Sequence, residues 1–190
     1  EQAAQYATVS VSTAGDVNGD GFGDLIIGAY GSDPTAGSAA GRSYVVFGKT
    51  GGAAVDLAAV AAGNGGFVID GQNAGDSSGR SVAAAGDVNG DGLDDLIVGA
   101  PNADVDGTGG AGAVFVFAGT SVITNLRNTV ATLAHSSPTT NANVGFSLSS
   151  VPGQADSTGH RRDEVVAGAP GANRIYVFLC TGLDGDRASD

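Results

Sequence analysis

Apolar and polar positions along the chain fall into short alternating or fully apolar runs of strand length, separated by clusters of Gly, Asp, Asn and Ser. Three runs align with one another: DLIIGAY at Asp24, DLIVGAP at Asp95 and EVVAGAP at Glu164, spaced 71 and then 69 residues apart. Each is preceded by a run of small residues: VSVSTAG from Val9, RSVAAAG from Arg80 and FSLSSV from Phe146. Each is followed by an aromatic, β-branched run: SYVVFG at Ser43, AVFVFAG at Ala113 and RIYVFLC at Arg174. Period-2 runs bounded by turn residues predict strands. GFVID at Gly66 and TVATLA at Thr129 predict a fourth strand in the first two units. The stretch DLAAVAAG from Asp56 predicts one helical turn, and no other stretch carries a convincing helical period.

Self-similarity at a fixed period near 70 residues predicts a repeat architecture, here all-β with four short antiparallel strands per unit. That is the size of a β-propeller blade. An isolated four-stranded sheet leaves both faces open to water, whereas blades stacked about an axis cover them. The small residues of SVAAAG suit the crowded innermost strand. The whole chain, 1–190, is expected to be one propeller-type region with blades at about 8–70, 79–135 and 144–180. At roughly 70 residues per blade it holds about 2.7 units, short of the roughly 4 to 8 that close a ring. The expected ring is therefore incomplete unless more chain or oligomerisation completes it. In an open assembly, EQAAQY at the N-terminus is a candidate outer strand for a neighbour. The chain opens on Glu1 without an initiating Met or an apolar leader, which reads as an excised piece of something longer or a processed product.

Between the first and second strands of two units stands the same acidic turn, DVNGDGFGDL from Asp16 and DVNGDGLDDL from Asp87. In the first turn Asp16, Asn18, Asp20, the backbone carbonyl of Phe22 and Asp24 place oxygen at positions 1, 3, 5, 7 and 9. The second turn repeats the set with Asp87, Asn89, Asp91, the carbonyl of Leu93 and Asp95. Five protein groups, with a bidentate carboxylate or water, match the six to eight oxygens that Ca2+ takes. Magnesium prefers fewer protein ligands and zinc prefers nitrogen or sulfur, so two Ca2+ sites are expected. An EF-hand needs a carboxylate at position 12, where this chain has Ile27 and Val98. The third unit departs from the pattern. Counting back from Glu164 places Asp156, Thr158 and His160 at the first three ligand positions, beside Arg161 and Arg162, so no Ca2+ is expected there. A guanidinium paired with Asp156 or Glu164 is the expected stand-in.

Charge narrows the functional classes. With 8 Lys and Arg against 20 Asp and Glu, a net charge of -12 disfavours nucleic acid and anionic membranes as partners. No apolar run reaches the roughly 20 residues of a transmembrane helix. The single Cys180 beside IYVFL reads as a small buried hydrophobe. His135 and His160 read as ordinary surface histidines, and Asp33, Asp104 and Asp106 as solvated hairpin residues. Two enzyme-like strings fail on context. GDSSG from Gly75 to Gly79, centred on Ser77, leads into a strand where a nucleophile elbow needs a helix. GTGGAG from Gly107 likewise opens a strand, so no helix N-terminus awaits a phosphate.

The pattern resembles the FG-GAP repeats of integrin alpha-subunit propellers and of microbial secreted or surface proteins, over nearly the whole chain. The GAP half stands at Gly28-Ala29-Tyr30, Gly99-Ala100-Pro101 and Gly168-Ala169-Pro170. The FG half is partial: Thr8 replaces its Gly in the first unit, and Ser78-Gly79 and Val144-Gly145 lack its Phe. The resemblance implies a non-enzymatic, extracellular, secreted or cell-surface module with a protein or glycan partner, whose metal turns are structural and face away from the recognition surface. Two further readings stay open: a self-assembling surface or fibre protein, and the scaffold of a secreted hydrolase or lyase.

Overall fold

The computed structural model describes residues 10–120, 132–136, 139–151 and 163–179. They form eleven strands: β1 Ser10–Gly15, β2 Asp24–Ala29, β3 Arg42–Val46, β4 Gly66–Asp70, β5 Ser81–Gly86, β6 Asp95–Ala100, β7 Ala113–Phe117, β8 Thr132–Ser136, β9 Ser147–Val151, β10 Glu164–Ala169 and β11 Arg174–Leu179. They make three separate antiparallel meanders, ordered β1-β2-β3-β4, β5-β6-β7-β8 and β9-β10-β11. The architecture is all-β, in blade-like sheets that do not close into a barrel. The one α-helix among the described residues, α1 Leu57–Ala61, is the expected turn. Asp56 caps it by accepting a hydrogen bond from Ala58 N, and Val60 anchors it to the first sheet. In the second unit β8 spans Thr132–Ser136, and within it His135 pairs with Val114 through the backbone. Cys180, the EQAAQY segment, and Asp156, Thr158, His160, Arg161 and Arg162 lie outside the described residues.

The sheets stack through their first strands, β1 beside β5 and β5 beside β9. Small side chains on these strands let the backbones approach. The glycine of the FG half of the motif has its physical reason here. Gly79 and Gly145 sit in left-handed conformations (φ 82° and 84°), and each donates its N–H to the carbonyl of the GAP glycine of its own repeat, Gly99 and Gly168. Their own carbonyl oxygens press on the GAP glycine of the preceding repeat, Gly28 and Gly99, where any Cβ would overlap them. The glycine pair is thus one contact made at every blade boundary. At the third blade Val144 occupies the place of the motif's Phe and is fully buried.

Two apolar layers fill the boundaries. Ile26, Val45 and Phe67 of the first sheet meet Val82, Leu96 and Val98 of the second. Ile97, Val114 and Val116 of the second meet Val165 and Ala167 of the third. A fully buried aliphatic side chain contributes about 1.5 to 3 kcal/mol, so the two layers outweigh any single turn. Arg80 adds a polar strap across all three sheets: its guanidinium lies 4.6 Å from the ring centre of Tyr30 and 5.1 Å from that of Phe146.

Candidate metal centre

Each acidic turn begins at a bulge. The ladders of β1 with β2 and of β5 with β6 shift register just before Gly15 and Gly86, and the next residue is the first aspartate. In the first turn Asp16 Oδ1 accepts from Gly19 N (2.8 Å) and Asp20 N (3.1 Å), and its Oδ2 accepts from Gly21 N (2.9 Å). Asn18 Oδ1 accepts from Asp20 N at 2.9 Å, and Asp20 Oδ1 from Phe22 N at 2.8 Å. The second turn repeats every bond. Asp87 accepts from Gly90 N, Asp91 N and Gly92 N, Asn89 from Asp91 N, and Asp91 from Leu93 N. Local side-chain acceptors replace ladder partners here, which is why Asp, Asn and Gly fold into this loop without either helix or sheet.

The ninth position differs in kind. Asp24 and Asp95 open β2 and β6 and are 1% and 0% exposed. Asp24 Oδ2 accepts from Val17 N (3.0 Å) and its Oδ1 from Gly48 N (2.8 Å). Asp95 accepts from Val88 N (2.9 Å) and Gly119 N (2.8 Å). Each buried carboxylate therefore ties the turn to the end of the third strand of its own sheet. Burial raises the pKa of both, to about 6 for Asp95. The amides of Gly119 and Val88 pull it down, and the charges of Asp91 and Asp87 push it up. Asp24 follows the same pattern, with Asp20 and Asp16 as the neighbouring charges.

Among the described residues no group of three His, Cys, Asp or Glu side chains forms a metal cluster. The donor chemistry nevertheless fits a hard cation. Every donor in the two turns is oxygen, and an ionised carboxylate offers about four lone-pair sites, of which the amides use two or three. A cation at the turn would also offset the cost that burial and neighbouring acids place on Asp24 and Asp95.

Two residue types escaped the sequence reasoning. Gly48 and Gly119 supply amides to the buried carboxylates from far along the chain. Asp94 belongs to the second turn but contacts the first, its Oδ2 accepting from Asp16 N at 2.8 Å, while its side chain fills the space beside Gly15. Asp163 lies against Gly86 in the same way. The available signal was the acid directly before position nine in DD at 94–95 and DE at 163–164, absent from GD at 23–24. Asp33 and Asp104 are exposed, as expected, but each also closes its loop by accepting from Ala39 N and Gly110 N.

The FG-GAP repeat model matches residues 7–46 and 78–117, the two stretches that contain the acidic turns. The chain is 32% identical to human (Homo sapiens) integrin alpha-IIb, over 94% of its own length and 16% of that protein. It is 30% identical to integrin alpha-PS2 of Drosophila melanogaster, over 93% of its length and 12% of that protein. It is 31% identical to phosphatidylinositol-glycan-specific phospholipase D of Bos taurus, over 83% of its length and 18% of that protein. The chain thus spans less than a fifth of each of these relatives.

Proposed function

From a chain that carries FG-GAP repeats and an integrin-alpha-like propeller segment, we propose a calcium-stabilised, non-catalytic module of an extracellular or cell-surface protein, acting in adhesion or interaction. The observation that carries the reading is the pair of acidic turns with matching hydrogen bonds, each closed on a buried carboxylate. In this reading Asp16, Asn18, Asp20, the Phe22 carbonyl and Asp24 hold one Ca2+, and Asp87, Asn89, Asp91, the Leu93 carbonyl and Asp95 hold another. The ions supply positive charge that stabilises turns otherwise crowded with carboxylates. Residues 1–190 act as one propeller region, with blades at about 8–70, 79–135 and 144–180. Its partner is a protein or glycan.

Thermal unfolding tests the calcium reading. A ligand at about 100 times its Kd adds about 2.7 kcal/mol per site, so removing both ions is expected to lower the midpoint by about 10 to 20 °C. An unchanged midpoint overturns it.

The similarity to phosphatidylinositol-glycan-specific phospholipase D favours a second reading, in which the segment is the scaffold of a secreted hydrolase whose chemistry lies elsewhere in the protein. Hydrolysis of a glycosylated phosphatidylinositol by the whole protein, with turnover insensitive to substitutions in these turns, supports that scaffold role. The absence of turnover returns the choice to adhesion.

A further inference from the structure

Two hydrogen-bonded routes join the acidic turns across the boundary between the first and second sheets. The first is reciprocal: Asp16 N donates to Asp94 Oδ2 (2.8 Å), and Asp94 N donates to the Asp16 carbonyl (3.2 Å). The second runs through the end of the third strand. Gly119 N donates to Asp95 Oδ1 (2.8 Å), Thr120 N donates to the Val17 carbonyl (2.8 Å), and Val17 N donates to Asp24 Oδ2 (3.0 Å). The second route runs from Asp95 to Asp24, a ligand position in each turn, and the first joins Asp16 to Asp94, which stands beside two ligand positions of the second turn.

We propose that Asp94 is a positioning residue that couples the two turns, so that a divalent cation held by the second raises the affinity of the first, and the reverse. The proposal rests on the calcium reading above. Asp94 stands between the Leu93 carbonyl and the Asp95 carboxylate, positions seven and nine of the second turn. Fixing both of those on one ion fixes the backbone of Asp94 and aims its carboxylate at Asp16 N. Asp16 is the first donor of the other turn and organises it through three amides. The ordering cost is then shared between the two binding events, which is positive coupling, and linkage makes it reciprocal. Space is arranged for the contact: Gly15 has φ 74°, and a side chain there would collide with the Asp94 carboxylate. The first turn has Gly23 where the second has Asp94, so it reaches toward no turn beyond itself with a carboxylate of this kind.

A calcium titration of the full chain, followed by calorimetry, is combined with two substitutions. Asp91→Ala disables the second turn, and Asp94→Gly copies Gly23 into it. With Asp94 present, disabling the second turn is expected to weaken the first by about fivefold or more. In the Asp94→Gly background the same substitution is expected to weaken the first turn by a clearly smaller factor, what remains being carried by the backbone bonds of Asp94 and Thr120; an undiminished factor overturns the role of the Asp94 carboxylate. Asp94→Asn keeps one acceptor oxygen for Asp16 N and is expected to restore the coupling. If Asp94→Gly does not fold, the unaltered chain still decides: two-site binding with positive cooperativity supports the proposal, and two independent sites overturn it while leaving the calcium reading intact. A chain that binds no calcium overturns both.

Discussion

The carbonyl oxygen of Gly79 rests on the α-carbon of Gly28, and Gly145 stands to Gly99 in the same way one blade later. Both contacts are backbone on backbone, so neither can give way to an added side chain. Gly99→Ala is therefore expected to force the second and third sheets apart, at a cost above the usual range of about 0.5 to 3 kcal/mol for single substitutions. Gly52 has nothing within 4 Å of an added Cβ, so Gly52→Ala is the control and is expected to change little. Urea unfolding of the two variants measures the contrast. Equal stability of the pair would remove the glycine contact as the reason for the motif.

The buried acid at position nine predicts a split response. Asp95→Asn removes a charge that burial disfavours, but leaves Val88 N and Gly119 N to share one acceptor oxygen. A buried donor left without a partner costs about 1 to 3 kcal/mol, so the two effects oppose each other in chelator and the net change there is expected to be small. In calcium the variant lacks the buried negative charge at one turn. The rise in melting temperature on adding calcium is expected to fall by about half. Differential scanning calorimetry with and without chelator reads both effects.

Ser43 marks a place where the first blade carries a polar atom that the second does not. Its hydroxyl is fully buried and has no hydrogen-bond partner among the described residues, while Val114 holds the equivalent position. Ser43→Ala removes the unpartnered group and is expected to stabilise the chain by about 1 kcal/mol. A drop in the urea midpoint would show that the hydroxyl has a partner in solution.

Asp76 gives a pH dependence away from the acidic turns. Burial raises its pKa; hydrogen bonds from the Asn73 side chain and backbone oppose the shift, and the charge of Asp104 adds to it. An acid whose folded pKa exceeds 3.8 binds protons more readily when folded, so its cost to stability is absent below that pH and is fully felt above the folded pKa. Asp76→Asn, which keeps an acceptor for Asn73, is expected to be more stable than the parent at pH 7, with the gain vanishing below about pH 4. Urea midpoints across that range test the sign.

Legibility differed by contact range. The strands of each unit, the helical turn at Asp56 and the two acidic turns were readable because their causes are local. Period-2 alternation, an Asp cap, and Asp, Asn and Gly at alternate positions all act within about ten residues. Asp16, Asn18, Asp20, Asp87, Asn89 and Asp91 stand in two matching hydrogen-bonded loops. Gly48, Gly119 and Asp94 were not readable as partners. Each acts across 24 to 78 residues, where chain spacing carries no information about proximity.

The amino-acid sequence by itself determined the repeat unit, its antiparallel strands and the oxygen-lined turns, because short-range sterics and side-chain-to-backbone bonding decide these. The tertiary structure alone decided which of two alike faces is covered. Leu25 and Leu96 hold the same place in the same motif, yet Leu25 is 44% exposed and Leu96 is 2%. Ile175 is 74% exposed where its counterpart Val114 is fully buried. The residues are alike and their neighbours are not. A blade buries a face only against another blade, and only the middle sheet has described blades on both sides.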